Sequence, residues 1–317
     1  MPESATTTAT TPNLPPGVTV FERGWLSANN ILLHGEQPAL VDSSYATHAP
    51  QTVALVEAAL AEMPLRPPLA ILANSHLHSD HCGGNAALQA RYPDLKTLIP
   101  PGHAELVRQW DPVGLTYEPT GQQCPAFRFD AVLQPGAEVP LGAMVWQVHA
   151  APGHDPHSVI LFQAEHRLLL SADTLWEKGF GVVFPELDGA DAFDEVAATL
   201  DVIERLAPRT IIPGHGSVFT NVAAALAFAR KRLDGFVRDP HKHALHAAKV
   251  LLKFKLLELQ RVPLAQLTAW ACRTPYMVNT HRAYFVDPEA MGWAAALAAD
   301  LVRSGAAVLA GDVIVNA

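Results

Sequence analysis

The sequence predicts an α/β main domain followed by a small, mostly helical, winged-helix-like domain. Three observations carry that expectation. Short apolar runs alternate with helix-like periodicity from Leu69 to about Arg205. The window His76-Leu77-His78-Ser79-Asp80-His81 directly follows one such run, at the strand end where α/β proteins place ligands. Beyond Arg238-Asp239-Pro240 the chain turns Ala- and Leu-rich and closes on a hairpin pattern. The boundaries expected are 1–16 for a disordered tail, 17–237 for the main domain and 238–317 for the second.

The elements follow in order. Val18–Phe21, Asn30–Leu33 and Ala39–Val41 are short apolar runs between Gly- and Pro-bearing turns, and read as antiparallel strands. A helix is expected from Thr47, with Pro50 in its first turn and Val53, Val56, Leu60 and Met63 at helical spacing. Leu69 to Ala73 is a buried strand, and Cys82-Gly83-Gly84 a turn into a helix over Asn85 to Arg91. Further strands fall at Thr97–Ile99, Val145–His149, Ser158–Phe162, Arg167–Ser171 and Thr210–Pro213. A helix from Ala192 to Leu206, capped by Asp191, keeps Val196, Leu200 and Ile203 on one face. A final helix runs from Met291 to Arg303, and Ala307–Leu309 and Val313–Val315 flank a Gly311-Asp312 turn.

Composition narrows the function classes. The chain has 317 residues, 49% hydrophobic and 17% charged, which supports a large apolar core. A formal net charge of -9 argues against general affinity for nucleic acid or acidic membranes. No apolar run reaches the roughly 18 residues that span a bilayer, so no membrane partner is expected. Three cysteines cannot build a disulfide framework, and the polar, Thr- and Pro-rich start lacks the features of a signal peptide. A reducing, cytoplasmic address is the expectation.

Three imidazoles and a carboxylate within six residues are the donor types of two adjacent metal sites. Later strand ends offer the remaining donors: His154 and His215, each in a Pro-Gly-His turn, and Asp173 in Ser171-Ala172-Asp173-Thr174. His76, His78 and His154 would hold one ion, Asp80, His81 and His215 the other, with Asp173 bridging. His and carboxylate donors suit two zinc ions best, with iron or manganese as alternatives. Cys82 reads as a small buried residue, and the remaining histidines, His103, His243 and His246 among them, as surface or structural. Trp176, Phe180 and Phe184 would form an apolar pocket behind Asp173, with His157 as a further candidate.

On His76, His78, Asp80, His81, His154, Asp173 and His215, in that order, the chain resembles the metallo-β-lactamase-fold hydrolases over about Val18 to Phe236. The resemblance implies a four-layer αβ/βα sandwich with a dinuclear site along one edge, and Asp42 as the buried carboxylate that orients a ligand. It implies a dinuclear hydrolase in which a metal-bridging hydroxide, oriented by Asp80 as the catalytic carboxylate, attacks a carbonyl. Ser171 to Trp176 is similar to the glyoxalase II group, whereas Gly179 to Phe184 lacks that group's Cys and Arg. Zinc β-lactamases commonly carry Cys where this chain has Asp173. An ester or thioester of a small acyl molecule is therefore the expected substrate.

Two other readings compete. Family ribonucleases that cut single-stranded RNA resemble this chain in adding a winged-helix-like domain, and Ala229 to Arg261 carries nine basic against three acidic residues. Few aromatics interleave with those charges, which disfavours a single-strand surface. The other reading is a non-catalytic metal-holding scaffold, its second domain serving a partner or self-association into a homo-oligomer. Tyr276, Asn279, His281 and Tyr284 are expected in a loop near the pocket.

Overall fold

Period-two alternation builds the architecture. In the computed structural model, which describes residues 14–285 and 289–317, neighbouring side chains of one strand enter different cores. Ile31 and Leu33 face one cluster and Leu32 another; Val159 and Leu161 face the first and Ile160 and Phe162 a third. Such strands are buried on both faces, as the centre of a four-layer sandwich requires.

The first sheet has the order β1 (Val18–Phe21), β2 (Asn30–Leu33), β3 (Ala39–Val41), β4 (Ile71–Ala73), β5 (Lys96–Ile99) and β6 (Ala131–Val132). β1 to β3 pair antiparallel, and β3 to β6 pair parallel. The second sheet has the strands β7 (Glu138–Leu141), β8 (Met144–Ala150), β9 (Val159–Gln163), β10 (Leu168–Ala172) and β11 (Thr210–Pro213), in the order β11-β10-β9-β8-β7. Only β10 and β11 pair parallel there. The sheets meet through Val41, Ala73, Trp146, Val148, Leu168 and Leu170. The Ala49–Glu62 and Asn85–Arg91 helices cover the first sheet, and the Ala192–Leu206 and Val222–Arg238 helices cover the second.

After Pro240 a long helix, Pro240–Leu259, leads into a three-stranded antiparallel sheet of β12 (Arg261–Pro263), β13 (Ala307–Ala310) and β14 (Val313–Asn316), ordered β12-β14-β13. Three shorter helices, Leu264–Ala271, Pro275–Tyr284 and Ala290–Arg303, fill the space between. Leu252, Leu256, Met277, Trp293 and Leu297 form their own core. This helix-strand-helix-hairpin order has the winged-helix pattern with one helix added. Residue 238 coincides with a helix break: Asp239 accepts a bond from the Lys242 backbone N–H, and Pro240 occupies the first turn.

Several local expectations are corrected. Ala46–His48 is a 3-10 turn and the helix proper begins at Ala49, because Pro50 fits only the first turn. Asp191 does not cap its helix; the Phe193 backbone N–H instead donates to Glu186 Oε2 at 3.0 Å. Tyr276 to Tyr284 is helix, not loop. The expected tail lies outside the described residues up to 13, and Leu14 already packs against the inter-sheet core.

Candidate metal centre

Five strand ends deliver the site. Asp42 follows β3 and the His76–His81 window follows β4, both in the first sheet. His154, Asp173 and His215 come just after β8, β10 and β11 of the second. These strands run the same way within each sheet, so all the donors gather at one shared edge. Asp80 and His81 sit on a single helical turn, Ser79–Cys82, rather than in an open loop. At the end of β10 the register shifts between Leu170 and Ala172, and Ala172 takes a left-handed φ of 46°, which swings Asp173 into the edge.

The two Pro-Gly-His turns use glycine differently. Gly153 adopts φ +131°, a conformation closed to other residues, whereas Gly214 supplies room: a Cβ there would lie 2.2 Å from Asp173 Oδ1 and 3.0 Å from His81 Cε1. The Gly214 turn is pinned by Asn29, whose side-chain amide donates to the Pro213 and Gly216 carbonyls at 3.0 and 2.8 Å.

All seven expected donors converge in two groups, His76, His78 and His154 in one and Asp80, His81, Asp173 and His215 in the other. The donor atoms within each group lie within 4.8 Å of one another. His78 Nδ1 is 3.1 Å from His76 Nε2 and 2.8 Å from His154 Nε2. Asp80 Oδ2 is 3.0 Å from His215 Nε2. Asp173 faces both groups, with Oδ2 3.5 Å from His154 Nε2 and 3.8 Å from His215 Nε2, and Oδ1 3.4 Å from His81 Nε2.

Tautomers can be read from the surrounding bonds. Asp42 accepts three: from the Ser75 backbone N–H, from Ser75 Oγ and from His81 Nδ1, each at 2.8 Å. His154 Nδ1 donates to the Val182 carbonyl. In the neutral form of each ring, Nε2 is therefore the acceptor turned toward the cluster. Burial drives His76 well below the ordinary imidazole range, and burial with the neighbouring His154 holds His78 at about 4. Burial would raise Asp173, but His215 and His81 hold its carboxyl well down, and Asp80 is lowered against burial by His81 and His215. For His81 burial is outweighed by Asp42, Asp173 and Asp80, which together raise it.

Imidazole nitrogens and carboxylate oxygens converge here, and the carboxylates that raise His81 show that the cluster favours positive charge. Buried His81 Nε2 has no hydrogen-bond partner at all. A pair of cations would supply that charge, and the two donor groups fit a dinuclear metal site. Cys82 stays out of it, its thiol set 3.2 Å from Tyr117 Oη.

The site opens into a cleft of about 640 Å³. Trp176 and Phe184 line it, as do Trp25, Leu115, Val250 and Phe254. Phe180 does not: only 1% exposed, it packs in the core beneath the second sheet. His157 turns away and meets the His103 ring edge-on at 4.5 Å, leaving His103 to face the cleft. His246 also lines it, and His243 is structural, its Nε2 accepting from the Val183 backbone N–H. Of the helix at Pro275–Tyr284, Tyr276 reaches the cleft, its hydroxyl 2.8 Å from the Phe184 carbonyl. Trp25 stacks on His215 with ring centroids 5.4 Å apart. No local motif marks Trp25, Leu115 or Phe254, which reach the site only through the fold.

Two facing sheets with a two-cation donor set at their common edge define the αβ/βα class of metallohydrolases. The sequence pattern of the Metallo-beta-lactamase superfamily matches residues 23–215, and the chain belongs to that superfamily. It is 34% identical over 176 residues to a hydroxyacylglutathione hydrolase of Anaeromyxobacter dehalogenans (strain 2CP-C), covering 55% of this chain and 59% of the relative. It is 26% identical over 171 residues to the acyl-coenzyme A thioesterase MBLAC2 of Homo sapiens, covering 49% and 58%. The chain thus spans less than two thirds of either relative's length. A metallo-beta-lactamase family protein of Thermus thermophilus shares the fold at TM-score 0.56 and 18% identity, over 96% of this chain and 100% of that one. The di-iron-bound form of TTHA1623 matches at TM-score 0.52 and 25% identity, over 67% and 98%.

Proposed function

We propose that this chain is a dinuclear metal-dependent thioester hydrolase acting on a small acyl substrate. The observation that carries this is the apolar cleft, rimmed by Trp25, Trp176, Phe184 and Phe254, that opens onto both donor groups. The names of the relatives, hydroxyacylglutathione hydrolase and acyl-coenzyme A thioesterase, support a thioester as the bond cut.

His76, His78 and His154 would hold one ion and Asp80, His81 and His215 the second, with Asp173 shared; zinc suits these donors, and iron or manganese are the alternatives. When bound, such a pair supplies Lewis acidity toward a carbonyl and a water acidified toward neutrality. The apolar walls hold the acyl chain and exclude bulk water. Asp80 lines the cleft, and its carboxylate would orient the attacking water toward the substrate carbonyl. Asp42 holds His81 in its working tautomer. Residues 17–237 would carry the chemistry, and 238–317 would complete the cleft wall.

The basic stretch does not favour RNA. Arg230 pairs with Asp201 and Glu204, Arg238 with Asp234, Lys249 with Asp300, and Lys255 with Glu258, which reduces the charge available to follow a phosphate chain. The test is to strip the protein with a chelator, reload it with Zn²⁺, Fe²⁺ or Mn²⁺, and assay thiol release from an acyl-thioester panel beside cleavage of single-stranded RNA. Metal-dependent thiol release is expected. RNA cleavage without thioester turnover overturns the proposal.

A further inference from the structure

One member of that basic stretch lines the cleft. Arg232 is half-buried in the cleft wall, and among the described residues no carboxylate pairs with it. Its neighbours are neutral. The Phe180 and Phe236 ring centroids lie 5.7 and 5.4 Å from the guanidinium carbon, and His246 Nε2 lies 2.6 Å from Nη2. Burial and Arg232 itself hold His246 at about 3, so the imidazole is an uncharged acceptor. Gly179, at φ +115°, makes room, since a Cβ there would sit 2.8 Å from Arg232 Nη1.

The acids of the cleft are committed elsewhere. Asp80 and Asp173 face the donor histidines, Asp155 accepts from the His157 backbone N–H, and Asp188 lies 3.0 Å from the Tyr276 hydroxyl. A guanidinium held by rings and an imidazole keeps donors to spare, and desolvating it without an anion is costly. Lys178, exposed on the same wall, adds a second positive charge.

We infer that Arg232, assisted by Lys178, is a substrate anchor that selects thioesters bearing a carboxylate or a phosphate away from the scissile carbonyl. This rests on the thioester reading above. A fork-shaped cation at a fixed place on the wall orients one end of the substrate while the acyl carbonyl meets the donor cluster. The anion can sit on the acyl side or the thiol side, and four probes separate the cases. These are neutral S-acetyl-N-acetylcysteamine, its S-succinyl counterpart, S-acetyl-3-mercaptopropionate and acetyl-coenzyme A.

Wild-type protein is expected to show a KM about tenfold or more lower for at least one anionic probe than for the neutral one. Arg232→Gln should raise that KM by about 10–100-fold and leave kcat and KM for the neutral probe unchanged, with Arg232→Lys in between. Binding is read independently by quenching of Trp25 and Trp176 with matched non-hydrolysable thioethers, with and without the anionic group. Equal wild-type affinity for neutral and anionic thioethers overturns the anchor. So does an Arg232→Gln change that is the same for both. If no probe is turned over, thioester hydrolysis fails, while the thioether titration still decides the anchor. Should Arg232→Gln fail to fold by thermal unfolding, the wild-type comparison and Arg232→Lys decide it.

Discussion

Asp42→Asn isolates the charge that orients the centre from everything else at that position. The substitution is nearly isosteric, and Asn tolerates the left-handed backbone of Asp42, at φ 59°, as readily as Asp does. What changes is one acceptor. Asp42 takes bonds from the Ser75 backbone N–H, Ser75 Oγ and His81 Nδ1, all at 2.8 Å and all buried. An amide can offer its oxygen to the Ser75 N–H, and its NH₂ then faces His81 Nδ1. The ring must move its proton to Nε2, the atom aimed at the second donor group. The opposite amide orientation sets two donors against each other at Ser75. Either outcome costs about 1–3 kcal/mol, the range for a buried group left unpaired. Loss of a carboxylate behind a ligating histidine lowers metal affinity by about 10–100-fold. Chelator competition at neutral pH, titrating both metal equivalents, should show the weaker one released first in Asp42→Asn, with a lowered Tm for the metal-free protein. Wild-type affinity for both equivalents would refute the assignment of His81 as a ligand oriented by Asp42.

Other consequences can be checked alongside. Asp80→Ala should abolish turnover, a loss of at least about 100-fold, while circular dichroism stays native; near-full activity would remove Asp80 from the reaction. Gly214→Ala should lower metal stoichiometry, measured by elemental analysis, because its Cβ meets Asp173 Oδ1 at 2.2 Å. Trp25→Ala should raise KM for apolar acyl groups while shifting unfolding by under about 0.5 kcal/mol, since the ring is 57% exposed. Burial and Arg232 depress His243 to about 4, so protons bind the unfolded chain in preference. Its contribution is whole above about pH 6.5 and is lost as pH falls toward 4, amounting to about 3 kcal/mol. Urea unfolding from pH 7 to 4 should show a shallower slope for His243→Gln, which can still accept from Val183.

The donor set was legible in the sequence because chemistry and position coincide there. His76 to Asp173 and His215 are strong ligand types placed just after apolar runs, and β-strands announce themselves through residues such as Ile211 and Ile212. The cleft was not legible in the same way. Trp25, Leu115, Arg232 and Phe254 are ordinary residues in ordinary local settings, and only the packing of distant segments makes them neighbours. Phe180 shows the converse: adjacency to Asp173 in the chain suggested a pocket residue, but the left-handed Gly179 turns it into the core. β6 escaped notice because Ala131 and Val132 carry no pattern and owe their strand geometry to pairing with β5. Asp191 was misleading since a capping residue type caps only when the backbone brings its oxygen to the N–H, and Glu186 is better placed.

The donors and the far wall of the cleft lie on different stretches of chain: no expected ligand falls beyond His215, while Val250, Phe254 and Tyr276 all come later. Reactivity and selectivity can accordingly drift apart over evolutionary time. Substitutions, insertions or a wholesale exchange in the last third of the chain can retarget what the enzyme accepts without disturbing the inherited chemistry. Engineering of new acyl preferences should begin in those helices.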